Sequence, residues 1–233
     1  MVRAFLAVPL IALGTLVLGG PAIVAGLLDR TGRLVHGMAR LWARLALGAL
    51  GVRVRVGGAE HVPAGPAVFA ANHGSALDIP ILFGHLPAQF RIIHKRSLYL
   101  IPVIGWILYL GGHIGIDRGN AFRARRSLEA AAERIRRGTN VAVFPEGTRS
   151  PDAEVRLFKR GSFVLALSAG APVVPVSLRG VKGVVPRGLP SLVPGTIEMV
   201  LHPPVPTAGR GPEAAEDLAE QVRGVVIAGC REA

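Results

Sequence analysis

The sequence predicts an α/β fold: a mostly parallel central sheet flanked by helices, preceded by an N-terminal membrane-associated helical segment. Three observations lead to this prediction. Short apolar runs alternate with helical stretches from residue 51 onward, as expected for a parallel sheet with crossover helices. Residues 4–28 contain no charged side chain. Half of the 233 residues are apolar and the mean hydropathy is +0.44, which excludes a disordered chain and indicates contact with lipid.

The uncharged N-terminal segment is flanked by Arg3 and Asp29. As a helix it would be long enough to cross the core of a bilayer, which needs about 20 residues. Pro9 and Pro21 would kink or end such a helix, so a hairpin or a re-entrant segment is an equal alternative. A cleaved signal peptide is a third interpretation, although a small-residue cleavage site is missing.

Residues 32–50 have the pattern of a basic amphipathic helix with Trp42 beside its apolar face. The two faces carry Arg33, His36, Arg40 and Arg44, and Leu34, Met38, Leu41 and Leu45. Such a helix is suited to an anionic lipid interface; the alternative is a helix packed on the domain with solvated arginines. Because these basic residues follow the apolar run, the positive-inside rule predicts a cell-membrane protein with the rest of the chain on the cytoplasmic side.

The chain divides into membrane-associating helices, residues 1–50, and one main domain, residues 51–233. Residues 52–56 alternate with period two and are typical of an edge strand. The other predicted strands cover residues 66–71, 89–94, 113–116, 140–144, 173–178 and 195–201. Residues 120–137 form the clearest helix, and Gly138 is suited to its C-cap. Ligands of such sheets bind at the carboxyl ends of the strands, where the reactive residue types of this chain collect.

The net charge of +12 favours an anionic partner, whether nucleic acid, an acidic membrane or a phosphorylated substrate. Only 5% of the residues are aromatic, which argues against platforms that stack single-stranded bases. The single Cys230 excludes an internal disulfide and a cysteine-based zinc site. A non-enzymatic protein that binds anionic lipid or nucleic acid through the arginine-rich residues 122–137 is a competing interpretation. Glu129 and Glu133 interrupt that surface, so no nucleic-acid partner is expected.

His73 leaves a predicted strand, and Asp78 follows five residues later. A turn between them would bring the carboxylate to one ring nitrogen and leave the other nitrogen free to accept a proton. This is the base half of a Ser-His-Asp triad, in which a substrate hydroxyl would take the place of the serine. A structural histidine with a capping aspartate is the alternative. Ser75 is disfavoured as a nucleophile because no Gly-x-Ser-x-Gly elbow surrounds it.

A second polar group follows the predicted strand that ends at Phe144. Gly147 permits a close approach to the backbone, while Thr148 and Arg149 can donate hydrogen bonds to phosphate oxygens. Glu146 can accept from a hydroxyl or orient the arginine. Taken alone, this segment could equally be a Pro-Glu-Gly turn with a surface arginine. Cations at other strand and helix ends favour a phosphate site; they are Arg118, Lys159 and Arg160.

Four segments occur in the order of the four motifs of the lysophospholipid acyltransferase superfamily. They are His73-x4-Asp78, Ile-Gly-Ile-Asp-Arg at 114–118, Phe-Pro-Glu-Gly-Thr-Arg at 144–149 and Val-Val-Pro-Val-Ser at 173–177. The first and third are specific in combination, whereas the fourth is equally a core strand that contains a proline. Residues 94–106 and Phe-Lys-Arg-Gly at 158–161 are similar to further elements of that family. Over about residues 32–205 the chain resembles bacterial 1-acylglycerol-3-phosphate acyltransferases.

The resemblance implies an acyltransferase domain over residues 51–233, with His73 as the general base and Asp78 as the group that orients it. The substrate-binding residues that it implies are Lys95, Arg118, Glu146, Gly147, Thr148 and Arg149. The expected reaction transfers a fatty acyl group from acyl-CoA or acyl-carrier protein to the sn-2 hydroxyl of lysophosphatidate, giving phosphatidate for phospholipid biosynthesis. An acyltransferase with another acceptor, such as glycerol 3-phosphate, a lyso-aminolipid or a glycolipid, is the alternative.

The expected partners are membrane lipid, the acyl thioester donor and the lysophospholipid acceptor. No cofactor and no metal are expected, since the thioester is a co-substrate and the remaining histidines show no ligand spacing. One departure from the family concerns Gly115, where relatives often carry a bulky apolar residue. We therefore expect the wall of the substrate pocket to differ.

Overall fold

The computed structural model describes residues 2–117, 119, 121–150, 154–185 and 192–231. Its strands are β1 (Val52–Gly57), β2 (Val68–Ala71), β3 (Phe90–Lys95), β4 (Ile114–Ile116), β5 (Asn140–Val143), β6 (Val173–Arg179) and β7 (Gly195–Leu201). Its α-helices are α1 (Val2–Leu28), α2 (Arg33–Ala49), α3 (Asp78–His85), α4 (Ile104–Leu110), α5 (Ala121–Arg136), α6 (Gly161–Ala169), α7 (Val181–Val184) and α8 (Ala215–Arg231). Short 3-10 helices cover Ala59–His61, Arg96–Leu100 and Pro212–Ala214.

The strands form one sheet in the order β1-β7-β6-β2-β5-β3-β4. Neighbouring strands are parallel except for β6 and β7, so the predicted mostly parallel α/β fold is confirmed. All seven predicted strands are present, and β1 lies at an edge of the sheet as expected. The strands β2, β3, β4 and β5 run in one direction, so their carboxyl ends meet at the same edge.

Helices cover both faces of the sheet. Along β2, Phe69 and Ala71 point into a core shared with α2 and α3, while Val68 and Ala70 point into a core shared with α5, α6 and α8. Strands buried on both faces explain the continuous apolar runs from which they were predicted. Leu47 of α2 belongs to the first core. The domain boundary at residue 50 stays a prediction, although the core is continuous across it.

The N-terminal segment is one continuous helix, α1, with Pro9 and Pro21 inside it. It has the form of neither the hairpin nor the re-entrant segment. Residues Ile11–Leu28 are long and apolar enough to cross a membrane, and only 17% of them are buried. Membrane association is therefore supported by composition and exposure together.

The helix α2 is present as predicted, but two of its arginines contact the domain while several of its leucines are exposed. Arg40 donates hydrogen bonds to the carbonyls of Phe83, Leu86 and Ala88, and Arg44 donates to Gly84. These carbonyls belong to the last turn of α3 and the loop after it, where a helix presents its partial negative charge. These two arginines thus attach α2 to the domain, although Arg44 remains partly exposed. The large apolar side chains that α2 exposes are Leu34, Leu41 and Leu45.

Candidate active site

His73 and Asp78 form the hydrogen-bonded pair that the sequence predicts. His73 Nδ1 lies 2.8 Å from Asp78 Oδ2, and the Asp78 side chain is completely buried. Because a carboxylate can only accept, Nδ1 carries the hydrogen and donates it. In a neutral imidazole this leaves Nε2 free to accept a proton. The pair has the geometry of a general base and the group that orients it.

The turn between β2 and α3 produces this geometry. Asp78 is the first residue of α3, where the partial positive charge of a helix N-terminus favours a carboxylate. The Ser75 N–H donates to the same Asp78 Oδ2 at 2.8 Å, and Ser75 Oγ accepts from the Leu77 N–H at 3.2 Å. The loop therefore holds the aspartate in place before any substrate is present.

Two neighbouring strands fix the position of His73 itself. Its ring stacks on that of Phe144 after β5, with centroids 4.1 Å apart and planes 18° apart. Asn72 is paired with Leu178 of β6: its Nδ2 donates to the Leu178 carbonyl at 3.0 Å, and its Oδ1 accepts from the Leu178 N–H at 2.8 Å. The histidine is thus held between β5 and β6, and the role of Asn72 was not expected from the sequence.

The segment at 144–150 binds both backbone groups of His73. Glu146 Oε1 accepts from the His73 N–H at 2.8 Å, and the Ser150 N–H donates to the His73 carbonyl at 2.8 Å. Burial raises the pKa of Glu146, while hydrogen bonds from the backbone N–H groups of His73 and Arg156 oppose this rise. Glu146 therefore positions the histidine, and its direct contact with substrate stays a prediction.

A cavity of about 470 Å³ opens at the carboxyl ends of β2, β3, β4 and β5. Three cations line it, Lys95, Arg149 and Lys159, with no carboxylate among the described lining residues. Aliphatic side chains line much of the remainder: Ile79, Ile92, Ile93, Leu98, Ile116, Leu128 and Val143. Cations and aliphatic walls in one cavity are suited to a molecule with an anionic group and an apolar chain.

The structure brings most of the predicted site residues together. His73, Lys95, Gly147, Thr148 and Arg149 line the cavity. Asp78 and Glu146 lie buried and contact His73. Arg118 lies outside the described residues, so its predicted role has no structural test.

The side chain of Lys159 lies against Gly147 in the site. This glycine has a φ of 75°, and a Cβ at its position would lie 2.8 Å from Lys159 Nζ. Only glycine combines this backbone conformation with room for the ammonium group. The Phe-Lys-Arg-Gly segment indicated a cation here, but the sequence could not show that it lies against Gly147.

A family model described as Acyltransferase matches residues 53–179, more than half of the chain. The chain belongs to the acyltransferase family. The matched region contains nearly all of β1, the strands β2 to β6 and every predicted site residue, and the family assignment made from the four motifs is confirmed.

This acyltransferase is similar in sequence to two curated relatives and in structure to one solved protein. It is 34% identical over 182 residues to a 1-acyl-sn-glycerol-3-phosphate acyltransferase of Pseudomonas aeruginosa, which covers 76% of this chain and 70% of that protein. A 1-acyl-sn-glycerol-3-phosphate acyltransferase of Chlamydomonas reinhardtii is 39% identical over 82% of this chain, which spans only 58% of that longer protein. The structure of the 1-acyl-sn-glycerophosphate (LPA) acyltransferase PlsC from Thermotoga maritima has a TM-score of 0.79 and 30% identity, and covers 99% of this chain and 97% of its own.

The departure at Gly115 has a structural explanation in this acyltransferase. A Cβ on Gly115 would lie 2.5 Å from Tyr99 Cε2, so the tyrosine ring fills the space of a larger side chain. The Tyr99 hydroxyl donates to the His113 carbonyl at 2.7 Å and accepts from the Gly115 N–H at 3.2 Å. The side chain that fills this space therefore comes from the neighbouring 3-10 helix Arg96–Leu100 and not from β4.

We expect Gly115→Val to destabilise the protein by about 1–3 kcal/mol, because the new side chain would force the Tyr99 ring to move. Denaturant unfolding in detergent would measure the loss. The double variant Gly115→Val with Tyr99→Ala should recover part of it, since the smaller residue leaves room for valine. An unchanged stability of the single variant would show that the ring does not fill this space.

Proposed function

We propose that this acyltransferase transfers a fatty acyl group from a thioester to the 2-hydroxyl of lysophosphatidate, giving phosphatidate. The observation that carries the proposal is the cavity, which places the His73–Asp78 base among three cations and seven aliphatic side chains. Lysophosphatidate has matching parts: a hydroxyl to be activated, a phosphate and an acyl chain. The two curated relatives are named for this acceptor.

In the proposed reaction, His73 Nε2 accepts the proton of the acceptor hydroxyl as the oxygen attacks the thioester carbon. The C–O bond forms, the tetrahedral intermediate collapses, and the C–S bond breaks. The leaving thiolate takes the proton back from His73, so the base is regenerated. Asp78 stabilises the imidazolium that exists between these steps and holds the ring in orientation.

The cations Lys95, Arg149 and Lys159 would hold the phosphate of the acceptor. Fixing this group near the base raises the effective concentration of the hydroxyl, which can lower the barrier by several kcal/mol. Either acyl-CoA or acyl-carrier protein would serve as the donor, with no further cofactor.

We also propose that the protein lies at the cell membrane with its catalytic domain on the cytoplasmic side. The exposed apolar residues of α1 and the exposed leucines of α2 support the association with lipid. The basic residues that follow the apolar run support the cytoplasmic side through the positive-inside rule.

The function is tested by thiol release from palmitoyl-CoA with detergent-purified protein. We expect release that depends on lysophosphatidate and yields phosphatidate, at a rate that EDTA does not change. Glycerol 3-phosphate and a lyso-aminolipid, offered as competing acceptors, should be poor substrates. Faster transfer to either of them would identify the alternative acceptor, and palmitoyl-acyl-carrier protein run in parallel identifies the donor.

Arg149→Ala should raise the KM for lysophosphatidate about 10- to 100-fold, since a hydrogen bond to a charged group contributes about 1.5–3 kcal/mol. The KM for palmitoyl-CoA should change little. Arg53→Ala is the matched control, because Arg53 is exposed on β1, at the opposite edge of the sheet from β4. An unchanged KM for lysophosphatidate would remove Arg149 from the phosphate site.

A further inference from the structure

We propose that residues 98–109, which include α4, form a separate surface that contacts lipid. This contact would hold the opening of the cavity at the membrane interface. This surface is additional to α1 and α2. We call it the 98–109 surface.

The first argument is the exposure of large apolar and aromatic side chains. Leu100 is 84% exposed, Tyr109 74% and Trp106 58%. Ile101 and Ile104 are exposed as well. Within the described residues, no other stretch of this length outside α1 exposes as many large apolar side chains. Tryptophan and tyrosine prefer the membrane–water interface, where the ring lies among lipid and the polar group among headgroups.

The second argument is that α4 packs directly against the apolar helix α1. A Cβ on Gly19 would lie 2.8 Å from Val103 Cγ1, and one on Gly26 would lie 2.6 Å from Leu110 Cβ. The two helices therefore run side by side in the same direction. Val103 has a φ of 65°, which is strained for a β-branched residue, and its side chain packs against Gly19. α4 therefore lies directly against α1 and is close to any membrane that α1 enters.

The third argument is electrostatic. Residues 1–116 contain ten arginines and lysines and only three carboxylates, Asp29, Glu60 and Asp78. Asp78 is completely buried against His73, and residues 79–116 contain no carboxylate. Lys95 and Arg96, both exposed, directly precede the 98–109 surface. An anionic leaflet attracts basic residues that lie beside an apolar surface. The charge and the apolar side chains together therefore favour a membrane over an acidic protein that has no apolar surface.

The fourth argument is the position of the surface beside the cavity. Lys95 and Leu98 line the cavity, and Leu98 is the first residue of the 98–109 surface. Ile79, another lining residue, is also exposed. A lipid acceptor could therefore pass from the leaflet to the base along apolar side chains. This part of the inference rests on the proposed function, whereas the lipid contact itself does not.

The lipid contact is tested by the fluorescence of Trp106. The chain has two tryptophans, so Trp42→Phe leaves Trp106 as the sole reporter. With vesicles of phosphatidylglycerol and phosphatidylethanolamine, we expect a blue shift, and quenching when brominated lipid is included. The control is the variant Trp42→Phe, Trp106→Phe, Val56→Trp. Val56 is exposed near the carboxyl end of β1, which points away from the carboxyl ends of β2 to β5, so this reporter should be neither shifted nor quenched.

The role at the cavity mouth is tested with Trp106→Glu and its control Val56→Glu. With oleoyl-lysophosphatidate in vesicles, Trp106→Glu should lower the transfer rate about tenfold, since it removes one large apolar side chain from lipid. With hexanoyl-lysophosphatidate dissolved as monomers, its rate should equal that of the unsubstituted protein. Val56→Glu should change neither rate. Activity on the soluble acceptor also shows that each variant is folded.

The inference is overturned if Trp106 is neither shifted nor quenched in protein that cosediments with the vesicles. It is also overturned if Trp106→Glu lowers both rates equally, which would indicate a structural role, or lowers neither. If the unsubstituted protein acylates neither acceptor, the proposed function fails, and the fluorescence experiment still decides the lipid contact.

Discussion

His73→Ala should lower the rate of acyl transfer by about 10²- to 10⁴-fold, the usual contribution of a general base. The loss should appear in kcat, because the phosphate-binding cations and the aliphatic walls of the cavity remain. Thiol release in the presence of lysophosphatidate measures it. Binding to phospholipid vesicles should be unchanged, since neither α1 nor α2 contacts this side chain in the hydrogen bonds and ring contacts of the described residues.

The matched control is His61→Ala. His61 lies in a 3-10 helix before β2, outside the cavity, and its Nδ1 contacts the Leu201 carbonyl at 2.9 Å. This variant should keep full activity and show at most a small loss of stability. Turnover near the original rate in a folded His73→Ala protein would rule out the base mechanism.

Asp78→Asn is expected to be nearly as severe, with a loss of about 10²- to 10⁴-fold in kcat. The carboxylate oxygen Oδ2 accepts from both His73 Nδ1 and the Ser75 N–H, each at 2.8 Å. An amide oxygen at this position can accept the same two hydrogen bonds, but it carries no negative charge to stabilise the imidazolium that forms when His73 takes the substrate proton. Far-ultraviolet circular dichroism would verify the fold, and single-turnover thiol release would measure the step.

Ser75→Ala separates this mechanism from one with an enzyme nucleophile. Ser75 contacts Asp78 through its backbone N–H, which alanine retains, and its hydroxyl only accepts from the Leu77 N–H. Activity within about tenfold of the original is expected, because one neutral hydrogen bond contributes about 1 kcal/mol. A loss as large as that of His73→Ala would instead indicate a covalent acyl-serine intermediate.

The strands and the hydrogen-bonded pair of His73 and Asp78 were predictable because the information that specifies them is local. β2 and β5 are continuous apolar runs, and His73 and Asp78 are separated by a single turn. The helices α3 and α4 have only eight and seven residues and are apolar on nearly every side, so they lack the helical periodicity that identifies longer helices. The helix α8 does have this periodicity, with buried Leu218, Val222 and Val226, and could have been found.

The contacts that were not predicted depend on which elements meet. Periodicity showed that Arg40 and Arg44 share a face of α2, but not that this face meets the carbonyls after α3. The pairing of Asn72 with Leu178 joins residues more than one hundred positions apart. The contact of Lys159 with Gly147 depends on how the loop after β5 returns to α6. A single sequence contains no signal for such pairings until the order of the strands is known.

The arginines of α2 have a mechanical consequence. They hold the C-terminal end of α3, and the first residue of the same helix, Asp78, orients His73. An α-helix of eight residues is about 12 Å long, so one short helix connects α2 to the catalytic base. The position of the base relative to α2 is therefore fixed, and the proposed membrane anchor and the catalytic base move as one body.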